Sequence, residues 1–172
     1  FESRSTPPAG FYTSWKKWLP VMKAYEARTP AYFATPPTNL IYALHTSLKT
    51  MTEGPVSLAQ RFEKHREASQ RVKKGIENLG LEQLAQPDSR QSGVANGMTA
   101  VRYPRGFKAS DILPKMAQRG VVFGAGLHKD AKDEYFRIGH MGVSVVDPAR
   151  KDVDVILQKL EEALAEAGYQ KQ

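Results

Sequence analysis

Residues 120–142 read GVVFGAGLHKDAKDEYFRIGHMG, and this stretch decides the fold class. Val121–Phe123 predicts a short buried strand that runs into Gly124-Ala125-Gly126, and Tyr135–Ile138 predicts a second strand. Glycines at the end of a strand allow a tight turn or the close approach of a ligand to the backbone. Their spacing is that of neither a dinucleotide-binding motif nor a phosphate-binding loop, so the glycines alone identify no ligand.

One helix is expected before this stretch and another after it. Ser110 is expected to cap a helix that ends at Arg119, just before a glycine. Asp147 and Pro148 are expected to begin the last helix, which ends at Gly168. Val143–Val146 is expected to extend the strand that precedes it.

The earlier part of the chain is expected to be mainly helical. A longest helix is predicted over 56–79, because apolar residues recur at spacings of three and four and form one stripe against a core. The members of this stripe are Leu58, Phe62, His65, Ser69, Val72, Ile76 and Leu79. Further elements are expected as helices over 13–27 (interrupted near Pro20) and 38–53, strands over 81–85 and 98–103, and a polar loop over 87–96.

The order of these elements predicts the fold class and the division of the chain. Strands and helices alternate after residue 80, which indicates an α/β class protein with a small α+β domain. Its helices are expected on one face of a mostly antiparallel sheet. We expect two parts, residues 1–54 and residues 55–172.

The composition excludes several classes of function. The 172 residues contain no cysteine, which excludes disulfides, thiolate nucleophiles and cysteine-bound metals. The net charge is +7, but the basic residues are scattered, so nucleic-acid binding is not expected and attraction of a small anion fits equally well. No apolar run approaches the roughly 20 residues that span a bilayer, and we expect an intracellular protein in a compartment that the sequence leaves open.

Tyr32 and Thr35 place two hydroxyl groups in a proline-rich loop just before a helix. Together with the free N–H groups of the helix start, such hydroxyls can bind an anion such as phosphate. The alternative is a stiff entry loop in which Thr38 or Asn39 only caps the helix.

Arg137 lies at the end of a short predicted strand. A guanidinium on a rigid strand can bind a carboxylate through two parallel hydrogen bonds. The alternative is a surface arginine that pairs with a neighbouring carboxylate such as Glu134.

The four histidines show no metal-binding spacing, and no metal site is expected. His65 lies on the stripe of the longest predicted helix, where a satisfied and partly buried histidine is expected. His128 and His140 flank the strand of Arg137 and could line a site. His45 has no assigned role.

Three stretches, PAYFATPP (30–37), GVVFGAGLHKD (120–130) and YFRIGHMG (135–142), occur together and in this order. The set resembles the C-terminal half of alanine–glyoxylate aminotransferases, class V aminotransferases, and is most like the fungal members. The resemblance extends from about Phe11 to about Leu164.

This resemblance implies a type I fold and the cofactor pyridoxal 5′-phosphate, in a homodimer that acts on a small amino acid and a 2-oxo acid. It implies that Arg137 binds the substrate carboxylate, and that Tyr32 and Thr35 reach the cofactor phosphate of the neighbouring subunit. Gly124 and Gly126 are implied to lie near the site. Residues 1–54 would belong to the large domain and the dimer interface.

The lysine that binds the cofactor in this family lies upstream of the Tyr–x–x–Thr–Pro motif, and no lysine here matches it. Lys16, Lys17 and Lys23 are the nearest, but they lack its motif. We therefore expect the C-terminal portion of an enzyme that moves an amino group from alanine to glyoxylate, giving pyruvate and glycine, with the N-terminal portion elsewhere. The alternatives are a serine–pyruvate or other class V aminotransferase, or a non-catalytic binding module.

Overall fold

The computed structural model describes residues 3, 5–6, 10–85 and 94–171. Two compact units divide the chain, Phe1–Thr50 and Met51–Gln172. The assignment of residues 1–54 to a large domain and dimer interface remains a prediction. The elements are α1 (Trp15–Glu26), α2 (Thr38–Thr52), α3 (Leu58–Asn78), β1 (Met98–Arg102), α4 (Ala109–Gln118), β2 (Gly124–Ala125), β3 (Tyr135–Gly139), α5 (Val143–Val146) and α6 (Asp152–Glu166).

In the first unit, α1 continues through Pro20, so the predicted interruption is wrong. Proline removes one backbone hydrogen bond, but its fixed φ is that of a helix, and the turns on both sides persist. The helix ends at Glu26, Ala27 caps it, and Arg28 follows with a φ of 56°. This turn leads the chain into the proline-rich loop that precedes α2.

α2 confirms the predicted helix over 38–53 almost to the residue. None of its residues is buried, although its sequence is apolar. Leu40 and Tyr42 are 71% and 72% exposed, and Ile41, Leu44 and Leu48 are exposed as well. Thus α2 presents a large apolar surface.

In the second unit, α3 begins with a reciprocal cap. The Ser57 hydroxyl accepts the Gln60 N–H, and the Gln60 side chain accepts the Ser57 N–H at 2.9 Å. Only the later turns of the predicted stripe are buried, as at Val72 and Ile76, because these turns pack against β1, α5 and α6. The expectation of one continuous buried stripe is therefore wrong for the first turns, where Phe62 is 65% exposed.

The sheet has three antiparallel strands in the order β1-β3-β2. Arg137 in the central strand β3 lies opposite Ala100 in β1 and Gly124 in β2. The predicted strand over 81–85 is reduced to one bridge, between Gln83 and Val101. Of the polar loop predicted over 87–96, residues 87–93 lie outside the described ranges.

The core lies between this sheet and the helices of the second unit. Its fully buried side chains come from α3, α4, α6 and the two longer strands, and each contributes roughly 1.5–3 kcal/mol by leaving water. They include Val72, Ile76, Val101, Ile112, Met116, Phe136, Ile138 and Leu160. The expected α/β class, with helices packed on a small antiparallel sheet, is confirmed.

Three details around the glycine-rich stretch differ from the predictions. α4 begins at Ala109, so Ser110 is not its cap; instead the Asp111 carboxylate accepts the Lys108 N–H at 2.9 Å. Residues 121–123 form no strand, and Val122 is 85% exposed. Strand pairing starts only at Gly124, because there the backbone comes alongside β3.

The last part of the second unit also differs in two places. Val143–Val146 is a single helical turn, not a strand, because Gly142 reverses the chain with a φ of 67°. Asp147 accepts the Ala149 N–H in a local turn, and α6 begins only at Asp152. The expected end at Gly168, with a φ of 85°, is confirmed. None of the helices in the described ranges is both long and apolar enough to cross a bilayer.

Candidate functional site

The first unit brings the two predicted phosphate-binding hydroxyls together. The Tyr32 hydroxyl lies 3.2 Å from the Thr35 hydroxyl, and both residues are exposed. The Thr35 carbonyl accepts the Tyr12 hydroxyl at 2.9 Å, which holds the loop against the segment before α1. Both hydroxyls therefore face solvent from a loop whose backbone is tied down.

Aromatic packing supports the same loop. The Phe33 ring lies 4.9 Å from the Phe11 ring and 5.1 Å from the Trp18 ring, measured between centroids. The Lys17 ammonium lies 4.5 Å from the centre of the Phe11 ring. Tyr32 and Thr35 therefore flank an anchored residue, and this arrangement limits how far their hydroxyls can move.

The alternative that Thr38 or Asn39 caps α2 from outside is not observed. The helix begins at Thr38, and the Pro37 carbonyl accepts the Ile41 N–H at 3.0 Å. Thr38 and Asn39 thus lie in the first helical turn, and the Thr38 N–H donates to the Pro36 carbonyl at 2.8 Å. Thr35 lies three residues before this helix start, and Tyr32 lies six residues before it.

In the second unit, Arg137 projects from the middle of β3 on the side away from the core. Phe136 and Ile138, its neighbours on the strand, are fully buried on the core side. The Arg137 Nε donates to the Ala125 carbonyl at 2.8 Å. Within the described ranges, no carboxylate lies within ion-pair distance of this guanidinium.

The expected alternative, a pair between Arg137 and Glu134, is not formed. Glu134 instead binds Arg102 at 2.7 Å between Nη1 and Oε2. The guanidinium of Arg137 is therefore held at Nε by a neutral carbonyl and keeps its charge available for an anion.

Both predicted glycines make close approaches that a side chain would block. A Cβ on Gly124 would lie 2.8 Å from Nη2 and 3.1 Å from Cζ of Arg137. A Cβ on Gly126 would overlap the Lys132 carbonyl, so the chain between these two residues closes tightly. Gly124 thus lies directly under the Arg137 guanidinium, whereas Gly126 shapes the following loop.

Tyr135 is a supporting residue that the sequence interpretation missed. It is buried, and its hydroxyl oxygen accepts the N–H groups of Leu127 and His128 at 2.9 and 3.1 Å. These donors lower the pKa of the Tyr135 phenol below its ordinary value, and the charge of Arg137 adds to the effect. Tyr135 is two residues before Arg137 in the same strand, so both side chains lie on one face of the sheet. The sequence could have indicated Tyr135 by this spacing.

The two histidines that flank β3 do not line one site. His140 is 1% exposed, and its Nε2 lies 2.8 Å from the Thr99 hydroxyl. Burial lowers the pKa of His140, and the charge of Lys73 lowers it further. His128 is exposed, and its Nδ1 accepts the Asp130 N–H.

His65 fulfils the expectation of a satisfied, partly buried histidine. Its Nδ1 lies 2.6 Å from the Arg61 carbonyl, and its Nε2 accepts the Gly142 N–H at 2.9 Å. It therefore links α3 to the turn after β3. Among the described residues, no cluster of three or more potential metal ligands occurs.

Comparison with known proteins gives the context of these sites. No protein-family model matches the chain. Alanine–glyoxylate aminotransferase 1 of Saccharomyces cerevisiae is 38% identical over 144 residues, which are 83% of this chain and 36% of the yeast protein. An uncharacterised aminotransferase of Methanocaldococcus jannaschii is 30% identical over 161 residues, 94% of this chain and 38% of its own length.

This chain is a relative of the alanine–glyoxylate aminotransferases. The match to the yeast enzyme covers only its C-terminal part, as the resemblance predicted. The chain spans less than half the length of the curated relatives that it matches.

Solved aminotransferase structures share the fold. Alanine–glyoxylate aminotransferase from Nostoc sp. aligns with a TM-score of 0.72 at 22% identity, over 95% of this chain and 40% of that one. Ureidoglycine–glyoxylate aminotransferase from Bacillus subtilis aligns with a TM-score of 0.72 at 24% identity, over 99% and 41%. The expected fold, that of the C-terminal part of a type I pyridoxal-phosphate-dependent transferase, is confirmed.

Proposed function

We propose that this chain is the C-terminal portion of a pyridoxal-phosphate-dependent aminotransferase that transfers the amino group of alanine to glyoxylate, giving pyruvate and glycine. The main support for the proposal is the position and the available charge of the Arg137 guanidinium. This guanidinium is fixed at Nε by the Ala125 carbonyl and pairs with no carboxylate of the described residues. The sequence similarity to the yeast enzyme supports the choice of reaction.

In this proposal Arg137 binds the α-carboxylate of the amino acid and, in the second half of the reaction, that of the 2-oxo acid. Both substrates carry this group, so one arginine serves both. A guanidinium held by a strand orients the bound substrate and limits its rotation, which lowers the entropic part of the barrier. When bound, the cofactor supplies the electron sink and carries the amino group.

Tyr32 and Thr35 are proposed to bind the cofactor phosphate of the neighbouring subunit in a homodimer. Their adjacent exposed hydroxyls and the nearby start of α2 fit a phosphate, which accepts several hydrogen bonds. Gly124, which lies against the Arg137 guanidinium, and Gly126 are proposed to lie near the bound substrate. The cofactor-binding lysine is proposed to lie in the remaining portion of the enzyme.

The first test is made on the protein isolated from its source. We expect an intact mass of more than twice the 19.2 kDa of this chain, and a visible cofactor absorbance that borohydride reduction changes. Alanine and glyoxylate should give pyruvate and glycine, with serine as the competing donor. A species of 19.2 kDa that binds no added pyridoxal phosphate would contradict the proposal and favour a non-catalytic module.

A hybrid dimer tests the proposed sharing of the phosphate site. One subunit carries Arg137→Lys and the other carries Tyr32→Phe with Thr35→Val, and each homodimer alone should be nearly inactive. If the phosphate contacts cross the dimer, the hybrid contains one intact site and should recover about half of the wild-type activity per dimer. Contacts within one subunit would leave both sites of the hybrid damaged and the activity lost.

A further inference from the structure

We propose that Gly124 and Ala125 are positioning residues that hold the Arg137 guanidinium so that a substrate carboxylate binds to its two Nη groups. This inference rests on the proposed function, because it concerns how the carboxylate of that reaction is bound. Neither residue touches the substrate in this proposal; both act through Arg137.

The first observation concerns the Nε edge of the guanidinium. Arginine carries five N–H groups in a planar fork, and Nε has only one of them. In this structure Nε donates to the Ala125 carbonyl at 2.8 Å. The edge formed by Nε and one Nη is therefore occupied, and the end formed by Nη1 and Nη2 remains for a carboxylate.

The second observation concerns the space beside the guanidinium. Gly124 lies opposite Arg137 in the sheet, and a Cβ there would lie 2.8 Å from Nη2, 3.1 Å from Cζ and 3.3 Å from Nε. Three atoms of the planar group thus pack on the bare backbone of Gly124. Even a methyl group would push the guanidinium away from the Ala125 carbonyl and turn its Nη end.

Gly139 offers a matched control in β3, the strand that carries Arg137. Its nearest neighbour for an added Cβ is the end of the Met141 side chain at 4.0 Å, and its φ is not positive. Gly139→Ala therefore adds the same methyl group in β3 without touching Arg137. A general effect of removing a glycine from this sheet should be shared by both variants.

The kinetic experiment uses the protein at its full natural length. We expect Gly124→Ala to raise the KM for alanine about tenfold or more, because a charge-assisted pair of hydrogen bonds is misaligned. The slow reaction with ethylamine, which is alanine without its carboxylate, should be unchanged. Gly139→Ala should resemble the wild type in both reactions. An equal loss with alanine and ethylamine would indicate a structural role and overturn the inference.

A second readout needs no turnover. In the wild-type protein the Nε–H of Arg137 should exchange slowly with water in NMR spectra, and added pyruvate should shift the Nη resonances more than the Nε resonance. Gly124→Ala should speed the Nε–H exchange, and Gly139→Ala should not. The wild-type titration alone decides the binding mode if the Gly124 variant fails to fold. A pyruvate-dependent shift mainly at Nε, or none at Arg137, would overturn the inference.

The two readouts separate this inference from the proposed function. If alanine and glyoxylate are not substrates but pyruvate still shifts the Nη resonances and Gly124→Ala frees Nε, the inference survives and the proposed reaction fails. If the reaction is observed and depends on Arg137, but Gly124→Ala behaves like Gly139→Ala, the proposed reaction survives and the inference fails.

Discussion

Gly75, in the interior of α3, lies directly against Leu157 of α6. A Cβ on Gly75 would be 2.6 Å from each of the two δ-carbons of Leu157. The missing side chain thus makes room for the leucine at the α3–α6 contact, next to the core. A glycine in a helix interior costs about 1 kcal/mol relative to alanine, and here that cost permits close helix packing.

We expect Gly75→Ala to lower the free energy of unfolding by about 1–2 kcal/mol, because Leu157 must leave its position. In a Leu157→Ala background the same change should instead raise it by up to about 1 kcal/mol, since only the helix preference remains. Urea unfolding of the four proteins of this cycle measures both values. If Gly75→Ala changes the free energy of unfolding in the same direction in both backgrounds, contact with Leu157 does not cause the loss of stability.

Two tyrosine hydroxyls should differ sharply in what they contribute to stability. Tyr135→Phe removes the acceptor of two backbone N–H groups and should lower the free energy of unfolding by about 1–2 kcal/mol. The Tyr103 hydroxyl is buried and has no hydrogen-bond partner within the described ranges, so Tyr103→Phe should leave the free energy of unfolding unchanged or raise it by up to about 1 kcal/mol. Thermal or urea unfolding compares them, and hydrogen exchange at Leu127 should speed up only in the Tyr135 variant. Equal losses would contradict this difference.

Stability should fall at mildly acidic pH because of His140. Its pKa in the folded protein is lowered by burial and by Lys73, below the value of about 6.5 in the unfolded chain. Between these two pKa values the unfolded chain binds more protons. The His140 contribution to stability is therefore fully present above pH of about 6.5 and is lost as the pH falls toward the folded pKa. Unfolding at several pH values should show a smaller loss for His140→Gln than for the wild type.

A neighbouring pair of lysines provides the control for this pH dependence. Lys73 donates to the Ser69 hydroxyl and to the Ala95 carbonyl, and its positive charge lowers the pKa of His140. Lys74 is exposed and pairs with Glu77. In an NMR titration, Lys73→Met should raise the pKa of His140, whereas Lys74→Met should leave it unchanged. Equal effects would mean that Lys73 does not act through its charge.

Local patterns predicted most helices but not all of their starts. Apolar spacing correctly placed α2 and α3, and Gly168 correctly marked the end of the last helix. Asp147 and Pro148 have the sequence of a helix start, but they form an isolated turn, and α6 begins only at Asp152. The same residue types favour both structures, so the sequence alone did not distinguish them.

Long-range contacts explain the remaining misses. Val121–Phe123 has strand composition, yet only Gly124–Ala125 pairs with β3, and pairing depends on which backbone lies alongside. Phe62 continues an apolar stripe, but only the later turns of α3 meet the sheet and α6. Neither fact is encoded within a few residues of the segment concerned.

For the candidate sites, the sequence predicted which side chains could bind a ligand, but not which residues hold those side chains in place. Arg137 and Gly124 are 13 positions apart, and only the register of β2 and β3 shows that one lies over the other. The proposed roles of Tyr32, Thr35 and Arg137 remain predictions. The alternation of side chains in a strand could have predicted that Tyr135 lies on the same face as Arg137. The Ala125 carbonyl could not have been predicted as the acceptor for Arg137, because every residue has a backbone carbonyl.

The core cluster is drawn entirely from the second unit, which also carries Arg137, whereas Tyr32 and Thr35 belong to the first. This separation has an evolutionary consequence. In the proposed enzyme, substitutions next to the guanidinium and substitutions next to the two hydroxyls fall in different units of the chain. If both proposed roles hold, we expect related sequences to vary around Arg137 separately from Tyr32 and Thr35.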